Sequence, residues 1–240
     1  MEKEAGKAEA AGTAPFGAGT TTSQSDPENS RRAVIFFVAF CALIVLVLIG
    51  GLAYQRWHQQ SVAAANRYNG FDFSETMQGS SPLWVTEIVS HGQPYYIPFY
   101  YHPRELQSVV LQRNVTDRFV DPAQRPKLIY ITFSPDAGSY PVVGGVEISR
   151  ITGFRYDLLN IETHSALKAT VNTTGAEQMV VTCANATQDT AVLSFDEGDK
   201  DLIYQDPHDP WCIHLEYMGE NDSIMVADRF AYGLLRIMQG

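Results

Sequence analysis

Residues Ala33 to Tyr54 read AVIFFVAFCALIVLVLIGGLAY, an apolar run without one charged side chain. At about 1.5 Å per residue, a helix of that length crosses a hydrocarbon core of about 30 Å. A core helix of a soluble domain keeps a polar stripe, and this run has none. It also exceeds the apolar stretch of about 7–15 residues in a cleavable signal peptide, and it follows a polar segment spanning residues 1–32. The run therefore predicts an uncleaved signal-anchor helix over 33–54, with Ala63-Ala64-Ala65 as the competing cleavage motif.

Working outward, the basic residues Lys3, Lys7, Arg31 and Arg32 lie before the run, against Arg56 and Arg67 after it. That bias favours a cytosolic amino terminus. Glycosylation sequons begin at Asn114, Asn172, Asn185 and Asn221, all on the carboxy-terminal side. Both signals predict type II topology, with the large domain in the lumen of the secretory pathway or at the cell surface. Cys41 lies within the span, so Cys183 and Cys212 are the one pair left outside it. In an oxidising compartment they are expected to bridge, and a loop of about 30 residues would be stabilised by roughly 3–4 kcal/mol on the chain-entropy model.

The tail is rich in Ala, Gly, Ser, Thr, Glu and Lys and lacks the apolar surface needed to offset ordering entropy, so residues 1–32 are expected to be a disordered cytosolic tail. Residues 55–82 read as a juxtamembrane helix ending near Asn69-Gly70, followed by a short stalk. Residues 83–240 then form one domain. Its candidate strands are Leu83–Val89, Tyr95–Tyr101, Lys127–Phe133, Val142–Ile148, Ile151–Tyr156, Ala166–Val171, Gln178–Cys183, Ala191–Phe195, Trp211–Tyr217 and Ser223–Ala227. A helix is expected over Pro103–Arg113; in Asp228–Met238, Phe230, Leu234, Leu235 and Met238 fit a helix face while FAYGLLRI fits a buried final strand, and the strand is preferred. The pattern predicts a mostly β protein, an antiparallel β-sandwich or jelly roll, and disfavours a parallel α/β sheet.

No nucleophile elbow, zinc-protease helix, phosphate loop or dinucleotide turn is present, and no cofactor or metal site is expected. The acidic stretch Asp196-Glu197-Gly198-Asp199-Lys200-Asp201, with Asp206, His208 and Asp209, offers calcium-type oxygens, and a solvated acidic turn is the simpler account. A net charge of −10 disfavours nucleic acid as a partner. In PYYIPFYY the tyrosines are denser than a half-buried strand needs, and Pro94 and Pro98 point to an edge or a bulge. Tyr96 and Tyr100, an even number of positions apart, are the candidate anchors for a protein partner.

Three partial resemblances extend this reading. Phe230-Ala231-Tyr232-Gly233-Leu234-Leu235-Arg236-Ile237 resembles the last strand of tumour-necrosis-factor-type ligands, which implies a jelly roll and a homo-oligomer, a trimer. Pro94-Tyr95-Tyr96-Ile97-Pro98-Phe99 is similar to a strand of BRICHOS domains, with Pro94 where that family has a cysteine. Asp199-Lys200-Asp201 resembles the metal-nucleotide motif of type II Golgi glycosyltransferases, which implies catalysis on a larger α/β domain. The reading taken from the residues is a non-catalytic, type II membrane glycoprotein whose ectodomain binds a protein, as a surface ligand, a viral envelope component or an accessory subunit.

Overall fold

A computed structural model describes residues 27–79, 81–170 and 179–240. The chain divides after His58 into two compact units. The first is dominated by α1 (Pro27–Ala65). Within α1, Val34–His58 is long and apolar enough to cross a membrane. The expected tail lies outside the described residues up to residue 26, and Pro27–Arg32 already belong to the helix.

The second unit opens with four strands: β1 (Arg67–Tyr68), β2 (Phe71–Gln78), β3 (Ser81–Ser90) and β4 (Gln93–Phe99). They form an antiparallel meander in that order. Two of its turns are written in the sequence. Asn69-Gly70 joins β1 to β2 and His91-Gly92 joins β3 to β4, and all four residues have positive φ. Two-residue hairpins whose twist matches the strands require that conformation, which glycine adopts without a Cβ clash. Asn69-Gly70 is thus a hairpin turn and not a helix stop, and the segment read as a stalk is strand β2.

After a 3₁₀ turn at Pro103–Leu106 come β5 (Val110–Leu111), α2 (Asp117–Val120), β6 (Leu128–Phe133), α3 (Ser139–Thr152), β7 (Glu162–Leu167), β8 (Thr190–Glu197), β9 (Leu202–Gln205), β10 (Cys212–Tyr217) and α4 (Asp222–Leu234). The six strands make one sheet in the order β5-β9-β10-β8-β6-β7. In it β7, β6, β8 and β10 run parallel to one another, while β9, parallel to β5, is antiparallel to β10.

One hydrophobic core joins both sheets. Ile129, Ile131, Leu193, Phe195, Ile213 and Leu215 line the inner face of the six-stranded sheet, and Phe73, Ile97 and Phe99 line that of the antiparallel sheet. Helix α4 fills the space between: Tyr232 packs against Phe99 with ring centroids 4.2 Å apart and against Phe73 at 5.9 Å. From Val226 to Leu234 every residue of α4 is buried.

The structure is sheet-rich, and its first sheet is antiparallel as expected. The expectation against parallel pairing is corrected by the second sheet, whose parallel strands are linked through α3 and β9. Val142–Ile148 lies in α3, Ile151–Tyr156 is the last two residues of α3 and the turn after it, Ser223–Ala227 and Asp228–Leu234 form α4, and Pro103–Arg113 is a short 3₁₀ turn running on to β5. The physical reason lies in tertiary packing, which overrides local propensity. Gly144 and Gly145, unfavourable inside a helix, allow close contact: a Cβ on Gly144 would lie 2.9 Å from the Ala227 Cβ in α4, and one on Gly145 would lie 2.5 Å from Phe133 in β6. Helix α4 lacks a polar face because both of its sides are covered, so periodicity cannot distinguish it from a buried strand.

Candidate functional site

The first candidate surface is the outer face of the antiparallel sheet. Strand β4 is hydrogen-bonded to β3 alone, so it is an edge strand. Ile97 and Phe99 point into the core, which leaves Pro94, Tyr96 and Pro98 facing outward. Tyr96 stands opposite Glu87, flanked across the pair by Val85 opposite Pro98 and Val89 opposite Pro94. Tyr96 is 63% exposed and Val89 62%. A hydrogen bond to Glu87 raises the Tyr96 phenol above its ordinary value. The two prolines remove N–H donors from one alternate set of the edge, which blunts it against strand addition and leaves its side chains as the recognition elements.

The structure separates Tyr100 from Tyr96. Tyr100 lies just past β4, half-buried, in a crevice with Leu83, Pro98, Glu147 and Arg150. The backbone N–H groups of Tyr100 and Tyr101 both donate to Asp228 Oδ2, at 2.9 Å each. Tyr232 Oη donates to the Tyr101 carbonyl at 2.8 Å. Burial drives the Asp228 carboxyl well above the usual carboxylate range, against the lowering effect of the backbone donors. Burial also raises Glu147, a trend opposed by Arg150, which donates to both of its oxygens at 2.6 and 2.8 Å.

A second constellation, which strand patterning did not reveal, occupies the outer face of the six-stranded sheet. His214 Nδ1 lies 2.7 Å from Asp196 Oδ2 and Nε2 lies 3.1 Å from Asp206 Oδ2. Tyr204 stacks on the imidazole at 4.8 Å, and Lys168 Nζ donates to Asp196 Oδ1 at 2.6 Å. The hydrogen bond to Asp196, aided by Asp206, raises the His214 pKa above its ordinary value despite burial. Burial pushes Asp196 upward, but hydrogen bonds from His214 and Lys168 outweigh it and hold the group low. Asp206 is held low by the His208 backbone N–H and by His214. With both ring nitrogens engaged by carboxylates, His214 offers no unshared lone pair to a substrate proton, and the cluster is a charge network and not a base poised for catalysis. The alternation in WCIHLEY places His214 opposite Ile213 and Leu215, but no local signal announces the partners that topology brings from β8 and the segment after β9.

Beside this network, Cys183 and Cys212 are joined in a disulfide, as expected. Cys183 Sγ lies 3.7 Å from His214 Nε2.

At the carboxyl ends of β6 and β8, where an α/β sheet typically binds ligands, a crevice of about 300 Å³ is lined by Asp136, Gly138, Lys168, Asp196, Glu197 and Glu220 among others. The position a phosphate would take at the amino end of α3 is filled by Glu220: a Cβ at Gly138 would lie 2.6 Å from its Oε2.

The remaining candidates have plain placements. Asn114, Asn185 and Asn221 are exposed, and Asn172 lies outside the described residues. Asp199 and Lys200 are exposed in the β8–β9 turn, and Asp201 Oδ1 accepts from the Met218 N–H at 3.1 Å. Asp206 Oδ1 accepts from the N–H groups of His208 and Asp209, so part of the acidic loop serves turn formation. The segment resembling a terminal ligand strand lies in α4 and the turn after it, so that resemblance does not extend to conformation. No protein-family model matches this chain, and neither does any curated protein or solved structure.

Proposed function

We propose that this chain is a single-pass type II membrane glycoprotein, held by a signal-anchor helix over 33–54, whose two-sheet ectodomain binds a protein partner without catalysis. The observation that carries the proposal is the exposed face of β3 and β4, where Tyr96, Val85, Val89, Pro94 and Pro98 surround Glu87 on an edge blunted by proline. Such a face suits a partner offering an apolar socket rimmed by basic groups: tyrosine buries a large area at small entropic cost, and the carboxylate sets register. Three exposed sequon asparagines and the disulfide support placement in the secretory pathway or at the cell surface.

The same geometry weighs against the transferase reading. The Asp199-Lys200-Asp201 motif lies in the β8–β9 turn and not in the lining of the switch-point crevice, and the amino end of α3 is already covered by Glu220. The opposing argument, absence of an α/β sheet, no longer holds, so the position of that motif outside the crevice carries the weight.

A photo-cross-linking residue at position 96 of the full chain, expressed in cells, tests the binding face. A discrete protein adduct that Val89→Lys abolishes is expected. No adduct, or an adduct indifferent to Val89→Lys, contradicts the proposal.

A further inference from the structure

Among the described residues, the one group of His, Cys, Asp and Glu side chains whose ligand atoms converge tightly enough for a single ion is Cys183, Cys212 and His214, with all three atoms within 4.8 Å of one another. We infer that these residues form a redox-gated zinc site: closed as a disulfide under oxidising conditions, and opened to a Cys₂His ligand set when the bridge is reduced. A thiol pair held on a folded frame, beside an imidazole, matches the soft, tetrahedral chemistry that zinc selects.

The geometry needs little rearrangement. The two cysteine Cα atoms are 5.3 Å apart, and Cys212 is fixed in β10, two residues before His214 on the same face of the strand. His214 Nε2 already faces Cys183 Sγ at 3.7 Å. The fourth position is left to water, since Asp206 Oδ2, 3.1 Å from the same nitrogen, is not part of the convergent group.

An independent observation concerns the far side of the ring. His214 Nδ1 is hydrogen-bonded to Asp196 at 2.7 Å, and Asp196 is in turn held by Lys168 at 2.6 Å. A carboxylate on the outer nitrogen of a ligating histidine orients the ring and raises its basicity, and metal binding at Nε2 would replace that nitrogen's hydrogen bond to Asp206. Tyr204 stacks on the ring face and holds its plane.

The chemistry balances with a dithiol as reductant: its two thiols are oxidised to a disulfide while Cys183 and Cys212 gain two electrons and two protons. Zinc then displaces the two thiol protons, and the Nε2 proton where the ring is charged, as the sulfurs and nitrogen coordinate. Thiol–disulfide exchange with a disulfide, which is reduced to its dithiol as the Cys183–Cys212 bridge re-forms, expels the ion.

The test uses the full chain in detergent micelles, oxidised or treated with a phosphine, which reduces the bridge as water supplies the oxygen of the phosphine oxide. Cobalt(II) is the probe, read by sulfur-to-cobalt charge-transfer absorption and the visible bands of tetrahedral coordination. The reduced chain is expected to take up one equivalent and the oxidised chain none. Zinc should displace the cobalt, His214→Gln should abolish the tetrahedral spectrum, and Asp196→Asn should weaken uptake by about 10–100-fold. Absence of the thiolate–cobalt spectrum in the reduced chain, for whatever cause, overturns the inference. So does a spectrum that His214→Gln leaves unchanged.

Discussion

Helix α4 and strand β4 meet at Tyr100 and Tyr101, yet they obey opposite rules. Strand β4 has one face on the core and one in water, and its sequence shows it: Ile97 and Phe99 inward, Tyr96 outward, with prolines where the sheet needs no donor. Helix α4 is enclosed by α3, the six-stranded sheet and the rings of Phe73 and Phe99, so Phe230, Ala231, Tyr232, Gly233 and Leu234 are all buried. A solvated face writes a period into the sequence, and a fully enclosed element erases it. The difference also separates stability from recognition, because two tyrosines in the two elements should respond oppositely to truncation.

The largest expected effect is Tyr232→Ala, which removes a ring packed on Phe73 and Phe99 together with the hydrogen bond to the Tyr101 carbonyl. Losses of this kind cost about 3–5 kcal/mol. Urea unfolding of the full chain in micelles, followed by tryptophan fluorescence, should show that loss. An unchanged midpoint would place α4 outside the core.

Asp228 sharpens the comparison, since with Tyr232 it makes the polar contacts by which α4 holds the end of β4. Asp228→Ala leaves two backbone N–H groups without their acceptor and should cost about 1–3 kcal/mol. Asp228→Asn keeps an acceptor of the same shape. The folded-state pKa of this acid is raised above 3.8. Between the unfolded and folded values the native state therefore binds a proton that the unfolded chain has released, and stability falls as pH rises through that window. Asp228→Asn should flatten that part of the stability profile, and a slope identical to the parent would show that Asp228 does not titrate there.

Gly144→Ala tests why α3 escaped the sequence. In an exposed helix this change stabilises by about 1 kcal/mol. Here the new methyl would meet Ala227 Cβ at 2.9 Å and the Ser223 carbonyl at 3.2 Å, so a net loss of about 1–2 kcal/mol is expected. Stabilisation would mean that α3 and α4 are free to part. The smallest effect belongs to Tyr96→Ser, which should shift stability by no more than about 0.5 kcal/mol, because the ring is largely in water. A larger drop would return Tyr96 to the core and remove the proposed binding face.

What the sequence disclosed follows the same division. The apolar helix, the Cys183–Cys212 bridge, the span of β3, β6, β8 and β10 and the edge position of β4 were legible from hydropathy, cysteine arithmetic, β-branched runs and proline placement. Helix α3 was not, because Val142, Val143, Ile148 and Ile151 favour strands locally and its glycines are explained by neighbours distant in sequence. The network of Lys168, Asp196, Asp206 and His214 was equally hidden, since parallel pairing of β8 with β10 and the return of β9 assemble it from separate segments. Tyr96 and Tyr100 looked equivalent by spacing, but the strand ends between them, and Tyr100 turns into a crevice held by Asp228.

The central claim is the placement of the folded domain across the membrane from the amino terminus, and protease protection in sealed microsomes tests it most directly. The account predicts that the carboxy-terminal fragment survives digestion while the vesicles are intact, and that glycosidase treatment lowers its mass through glycans on sequons such as those at Asn114, Asn185 and Asn221. Digestion of that fragment in intact vesicles, with no mass change on glycosidase treatment, would contradict it.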